Sequence, residues 1–134
     1  MALAEALHAN SHLQELSLDS NKLSDPAAQA LGRMLAANKA LRLLRLGGNH
    51  IKDAGALAHW LPANTTLQLL DLESNDVADD GARALAAAVC RNRSLEALLL
   101  DNNRFTAAAS SHLLSIQARI ESNPVNSNEK EIKF

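Results

Sequence analysis

Two hydrophobic rhythms take turns along the chain. Leu16 and Leu18 flank Ser17, and the same alternation returns at Leu44 and Leu46, Leu70 and Leu72, and Leu98 and Leu100. Period 2 predicts short strands buried on one face. Between them, Leu31 and Leu35, Leu57 and Leu61, and Leu85 and Val89 recur at i and i+4. That spacing predicts helices with one buried stripe. Written in register, LQELSLDSNKL (Leu13 to Leu23), LRLLRLGGNHI (Leu41 to Ile51), LQLLDLESNDV (Leu67 to Val77) and LEALLLDNNRF (Leu95 to Phe105) share one pattern, LxxLxLxxNx closed by an apolar residue. The units begin at 13, 41, 67 and 95, so the period is 28, 26 and 28 residues. A second ladder, Asn10, Asn38, Asn64 and Asn92, stands three residues before each unit. A fixed period of this length means stacked supersecondary units, none of which buries its own apolar face alone.

Local signals agree with a strand and a helix per unit. Ser24, Asp25 and Pro26 form a helix N-terminus, with Asp25 as the expected cap and Pro26 in the first turn. Asp53-Ala54-Gly55 and Asp79-Asp80-Gly81 open the later helices, and Ala28, Ala30, Ala56, Ala82 and Ala84 let helices approach closely. The second unit lacks two residues between Gly55 and Leu57, so its helix is shorter. Trp60 is expected to fill the volume left behind, and Pro62 to end or kink the last turn.

The two ends differ from the interior. Residues Ala2 to His12 align with Ala84 to Ser94, so the chain opens in the middle of a unit. This leads us to expect either minimal capping or a fragment of a longer array, with the fragment favoured. Residues 1–121 form the repeat domain, with 1–12 as a partial first unit, and 122–134 is a polar tail, a disordered end or a thin cap.

Composition narrows the classes of function. Thirteen Lys plus Arg against fifteen Asp plus Glu give a net charge of -2. No basic excess exists for neutralising phosphates, so nucleic acid is excluded as the expected partner. Ala and Leu occur 25 times each, whereas aromatics are only 2% and Tyr is absent, as suits a core of many thin layers. The lone Cys90 cannot form an internal disulfide, and no apolar run is long enough to span a bilayer. With no basic n-region at the start, we expect a cytoplasmic protein that does not engage membranes.

The LxxLxLxxNx units and their 28-residue period resemble the leucine-rich repeat family, and a helix in every unit resembles its ribonuclease-inhibitor-like subfamily. The resemblance implies an α/β fold: a right-handed solenoid of about four repeats, with parallel strands on the concave face and helices on the convex one. It also implies that Asn21, Asn49, Asn75 and Asn103 form a buried ladder bonding to neighbouring turns. The NxLxxxGAxxLaxxLxxN form is similar to repeats of nucleotide-binding leucine-rich-repeat receptors, although no nucleotide-binding region is present. Ribonuclease inhibitors themselves are rich in cysteine, which sets this chain apart from that activity.

In such a solenoid the outward strand positions carry binding. Glu15, Leu43, Leu69 and Ala97 form one column, Ser17, Arg45, Asp71 and Leu99 the next, and Asp19, Gly47, Glu73 and Asp101 the strand ends. Arg45 and Asp71 are expected to be cross-strand neighbours able to pair, leaving Asp19, Glu73 and Asp101 as an acidic rim around Leu43, Leu69 and Leu99. An apolar centre with a charged border suits a protein partner. The expectation is a non-enzymatic interaction module, a sensor or adaptor in signalling. The alternatives are a GTPase-activating regulator similar to the Ran GTPase-activating proteins, and self-association through the concave leucines or uncapped ends.

Catalytic and cofactor signals are weak. His8 and His12 have metal-ligand spacing, but Asn10 and Ser11 should end the helix between them and no third ligand is near. Cys90 has no base beside it, and phosphate-loop and nucleophile-elbow motifs are missing. No catalytic residue, metal or cofactor is expected. The glycosylation acceptors at Asn64 and Asn92 both fall on the asparagine ladder, and the repeat pattern explains them better.

Overall fold

The computed structural model describes residues 1–121 and 131–133. Helix α1 (Ala2–His8) leads to β1 (Glu15–Ser17), and then α2 (Asp25–Ala37), β2 (Leu43–Arg45) and α3 (Gly55–Trp60) follow. A 3-10 turn (Leu61–Ala63) extends α3, after which come β3 (Leu69–Asp71), α4 (Asp79–Arg91), β4 (Ala97–Leu99), α5 (Ala107–Glu121) and β5 (Glu131–Lys133). The described strands form one parallel sheet in chain order, each separated from the next by a helix. This is the α/β repeat solenoid. The expected tail 122–134 lies outside the described residues except at 131–133, which add a strand to β4 where the sequence shows no LxxLxL.

The buried leucines are those the two rhythms pick out. Leu44, Leu46, Leu70, Leu72, Leu98 and Leu100 from the strands meet Leu31, Leu35, Leu57, Leu61, Leu85 and Val89 from the helices. Full burial of each large aliphatic side chain contributes about 1.5–3 kcal/mol, which only stacked layers realise. The first layer shows the converse: Leu16, Leu18 and Leu23 are half-buried, and Leu3 and Leu13 are exposed, with no earlier layer among the described residues to cover them.

Three residues after each of β1 to β4 stands a left-handed residue that turns the chain out of the sheet. Ser20, Gly48, Ser74 and Asn102 occupy this column with φ of 57°, 64°, 53° and 57°. Only one of the four is glycine, so the turn is imposed by the bonds around it. The N–H of Ser20, Gly48 and Ser74 donates to the carbonyls of Gly47, Glu73 and Asp101 in the following layer. Two residues on, His50, Asp76 and Arg104 donate backwards to Leu23, Ile51 and Val77. Lys22, the first of that column, has no layer behind it and takes a φ of 57° instead.

The expected cap at Asp25 is corrected. Ser24 is the N-cap of α2 and makes no side-chain capping bond, while Asp25 Oδ1 accepts from the N–H of Lys52 and Asp53, 2.8 and 2.9 Å away. Asp79 does the same for the next turn, accepting from the N–H and hydroxyl of Thr106. Asp53 breaks this series, folding back onto the N–H of Gly55 at the start of the shortened helix.

That helix has six residues where α2 and α4 have thirteen, and Leu61-Pro62-Ala63 finishes it as a 3-10 turn. Trp60 leans toward α2, where Gly32 makes room: a Cβ there would lie 2.9 Å from Trp60 Cδ1 and 2.8 Å from the Ala56 carbonyl oxygen. On the other side, Ala58, Pro62, Ala84, Ala87 and Ala88 line an open groove of about 640 Å³ between α3 and α4. Trp60 therefore fills only the α2 side of the space the expectation gave it.

Candidate functional site

The asparagine ladders hold the strands that carry the candidate surface. Asn49 Oδ1 accepts from the N–H of Asn21 and Leu23, and its Nδ2 donates to the carbonyls of Leu18 and Leu46. Asn75 repeats this toward Ile51, Leu46 and Leu72, and Asn103 toward Val77, Leu72 and Leu100. Every bond runs within a layer or back to the one before. Asn49 and Asn75 are accordingly buried, Asn103 is half-buried, and Asn21 is exposed, its side chain bonding its own turn at Asp19.

The second ladder closes the opposite edge. Asn38, Asn64 and Asn92 donate to the carbonyls of Leu7, Leu35 and Leu61 and accept from the N–H of the second and third residues after them, which lead into the next strand. At 1% and 2% exposure, with both ends of the amide engaged, Asn64 and Asn92 are framework residues.

Parallel pairing brings the outward columns into register. Glu15 stands opposite Leu43, Leu43 opposite Leu69, and Leu69 opposite Ala97. Ser17, Arg45, Asp71 and Leu99 make the adjacent column. Leu43, Leu69 and Leu99 are half-buried; adjacent strands are about 4.8 Å apart, so Leu43, Leu69 and Ala97 make one apolar row, and Leu99 stands in the next column opposite Asp71. Glu15, Ser17, Asp19 and Arg45 are exposed, whereas Asp71, Glu73 and Asp101 are half-buried.

One electrostatic expectation changes. Arg45 and Asp71 are in register but form no ion pair, because Asp71 Oδ1 accepts from the N–H of Glu73 at 2.9 Å. Asp19 is exposed at the strand end and is also tied to the fold. Its carboxylate accepts from the Gly47 N–H at 2.7 Å and from the Ser17 hydroxyl at 2.9 Å. Glu73 and Asp101, both half-buried, occupy the corresponding strand ends of β3 and β4. Partial burial, then the carboxylates of Asp71 and Asp101 and a hydrogen bond with Asp101, raise Glu73 above the ordinary carboxylate range, with Lys133 opposing.

A row of side chains just before the strands completes the surface. Gln14, Arg42, Gln68 and Glu96 line one side of a groove of about 350 Å³, with Glu15, Leu43, Leu69 and Ala97 along the other. The sequence reading stopped one residue short of this row. Its signal was present, since the second residue of each unit is polar in all four repeats.

The other sequence candidates do not assemble. Helix α1 ends at His8, leaving His12 outside it, and no group of three metal-ligating side chains occurs among the described residues. Cys90 is an exposed free thiol. No helix among the described residues is long and apolar enough to cross a membrane.

Comparison with known proteins places this architecture. The Leucine Rich repeat family profile matches residues 9–32, 37–58 and 63–86, more than half of the chain. The chain belongs to the leucine-rich repeat family, and the ribonuclease-inhibitor-like form of its repeats is consistent with that match. Tropomodulin-4 from Bos taurus and from Homo sapiens is 36% identical over 56 residues, which are 42% of this chain and 16% of each relative. Among solved structures, the leiomodin-1 actin-binding site 2 aligns with a TM-score of 0.84 at 19% identity, over 97% of this chain and 75% of that one. The tropomodulin C-terminal domain of Caenorhabditis elegans aligns at 0.81 and 18% identity, over 99% and 80%. At these identities the two structures share the fold.

Proposed function

We propose that the chain is a non-enzymatic protein-binding module that works through its concave sheet face, with Leu43, Leu69 and Leu99 at the centre and Glu15, Ser17, Arg45, Asp71, Glu73 and Asp101 around them. The observation that carries this reading is the in-register apolar row of Leu43, Leu69 and Ala97, with Leu99 in the adjacent column, along an open groove. Such a face offers a desolvated centre with a charged border. Asp19 and the ladder asparagines act through the framework rather than by touching the partner.

Actin is the partner to test first. What supports it is the likeness to leiomodin-1 actin-binding site 2 and the partial identity with tropomodulin-4. Binding of purified actin by the wild-type chain, by Leu69→Arg and by Ala87→Arg on the convex side separates the surfaces. The proposal expects Leu69→Arg alone to lose binding while both variants stay folded. Undiminished binding by folded Leu69→Arg overturns it.

A cytoplasmic sensor or adaptor role fits the same face. Self-association is the second reading, supported by Leu3 and Leu13 exposed at the first layer. Light scattering across a concentration series decides between them: a monomer leaves the face for a foreign protein, and a dimer that Leu69→Arg dissolves assigns it to a second copy.

A further inference from the structure

Charge is distributed unevenly along the concave face. Arg42 and Arg45 both belong to the second repeat, are exposed, and have no ion-pair partner among the described residues. The third and fourth repeats place Asp71, Glu73, Glu96 and Asp101 on the same side, and burial and then these acidic neighbours raise Glu73, with Lys133 opposing. Leu43, on β2 with the arginines, stands directly opposite Leu69, on β3 with Asp71. From β2 to β4 the surface therefore passes from basic side chains to acidic ones, with the exposed Glu15 and Asp19 of the first repeat on the far side of the arginines.

The spacing of the strands selects the shape of what can lie across them. From β2 to β4 is two strand intervals, about 9.6 Å. In a helix, residues i, i+4 and i+7 face one side and span about 10.5 Å, so one residue falls over each strand. In an extended peptide, same-side residues recur about every 6.7 Å and fall out of step after one interval. Three-residue strands give the face a width of about 10 Å, which matches a helix with its side chains.

We propose that the partner element is an amphipathic α-helix lying along the solenoid axis across β2, β3 and β4, with a carboxylate at one end, a large apolar side chain in the middle and basic side chains at the other end. The carboxylate meets Arg42 and Arg45, the apolar side chain sits over Leu69, and the basic side chains meet Asp71, Glu96 and Asp101. This rests on the concave-face reading above and adds the shape and charge order of the ligand.

The probes are three Ala-based helical peptides of about twenty residues, long enough to be helical alone. One carries Glu, Leu and Arg at the three positions, one Glu, Leu and Glu, and one Arg, Leu and Arg. Comparing single-sign controls with the mixed peptide makes the result independent of the direction in which the helix lies. Affinities are measured for the wild-type chain, for Leu69→Arg and for the double variant Arg42→Glu and Arg45→Glu, whose surface positions leave the core intact. The mixed peptide is expected to bind the wild-type chain about tenfold tighter than either control, with the advantage shrinking at high salt. The double variant, with an acidic face throughout, is expected to prefer the Arg, Leu and Arg peptide. Equal binding of all three, binding of none, or an unchanged ranking in the double variant overturns the helix proposal. Loss of that ranking with Leu69→Arg still abolishing binding leaves the concave face as the site; binding that Leu69→Arg does not weaken overturns the concave-face reading itself.

Discussion

The side-chain oxygen of Asn49 lies 3.0 Å from the backbone nitrogen of Asn21, 28 residues earlier in the chain. One side chain thus ties two layers together, and because the bonds run backwards, the same residue type has a different role at the start of the array. Asn49→Ala leaves the carbonyls of Leu18 and Leu46 and the N–H of Leu23 without this partner. The expected loss is on the order of 3 kcal/mol in denaturant unfolding. Asn21→Ala, at an exposed position, should stay within about 0.5 kcal/mol of wild type.

Gly32 gives a prediction of opposite sign to helix propensity. Alanine in a helix interior is favoured over glycine by about 1 kcal/mol. At Gly32 the new Cβ meets the Ala56 carbonyl oxygen and the Trp60 ring. Gly32→Ala should therefore destabilise by about 1–3 kcal/mol and shift Trp60 fluorescence. Trimming the ring with Trp60→Leu should not restore stability, because the backbone oxygen of Ala56 stays in place.

The left-handed column is open to substitution in both directions. Gly48→Ala should lose about 1–2 kcal/mol, since its φ of 64° crowds a Cβ. Ser74→Gly, which relieves the same crowding but loosens the unfolded chain, should gain up to about 1 kcal/mol. Thermal unfolding of the two variants checks the pair.

Asp79 links two turns in a pH-dependent way. The backbone N–H of Thr106, then its hydroxyl, hold this carboxyl below the ordinary aspartate range, aided by Arg83 and opposed by burial. A lowered folded value means that its contribution to stability is present above the unfolded aspartate value and is lost as pH falls through the folded one. Carboxyl NMR titration should find Asp79 below the ordinary range, and Thr106→Val should raise it only part of the way, because the stronger backbone bond survives. A midpoint unmoved by Thr106→Val would show that the hydroxyl does nothing for the carboxylate.

Much of this fold is legible in sequence because the repeat multiplies each weak signal. Leu16 alone says little, but Leu16, Leu44, Leu70 and Leu98 at one offset fix the strand, its inward face and its register. What escapes reading is what neighbouring layers decide. Asp25 has the sequence context of a cap, yet the N–H groups of Lys52 and Asp53 come within reach only after folding. Arg45 and Asp71 are neighbours as expected, but the Glu73 N–H competes for the carboxylate at shorter range. The turns at Ser20, Ser74 and Asn102 carry no glycine to announce them. On the candidate surface, both outward columns are readable from period 2. The row of Gln14, Arg42, Gln68 and Glu96 precedes the strands, where alternation no longer says which way a residue faces.

The most direct test of concave-face binding is methyl-resolved NMR of the whole chain titrated with actin. Binding through the proposed surface shifts the methyl groups of Leu43, Leu69 and Leu99 together and leaves those of Leu31, Leu35 and Leu57, buried toward the helices, near their free positions. Shifts confined to the helical side, or none at saturating actin, would contradict the concave face as the site at which this chain takes actin.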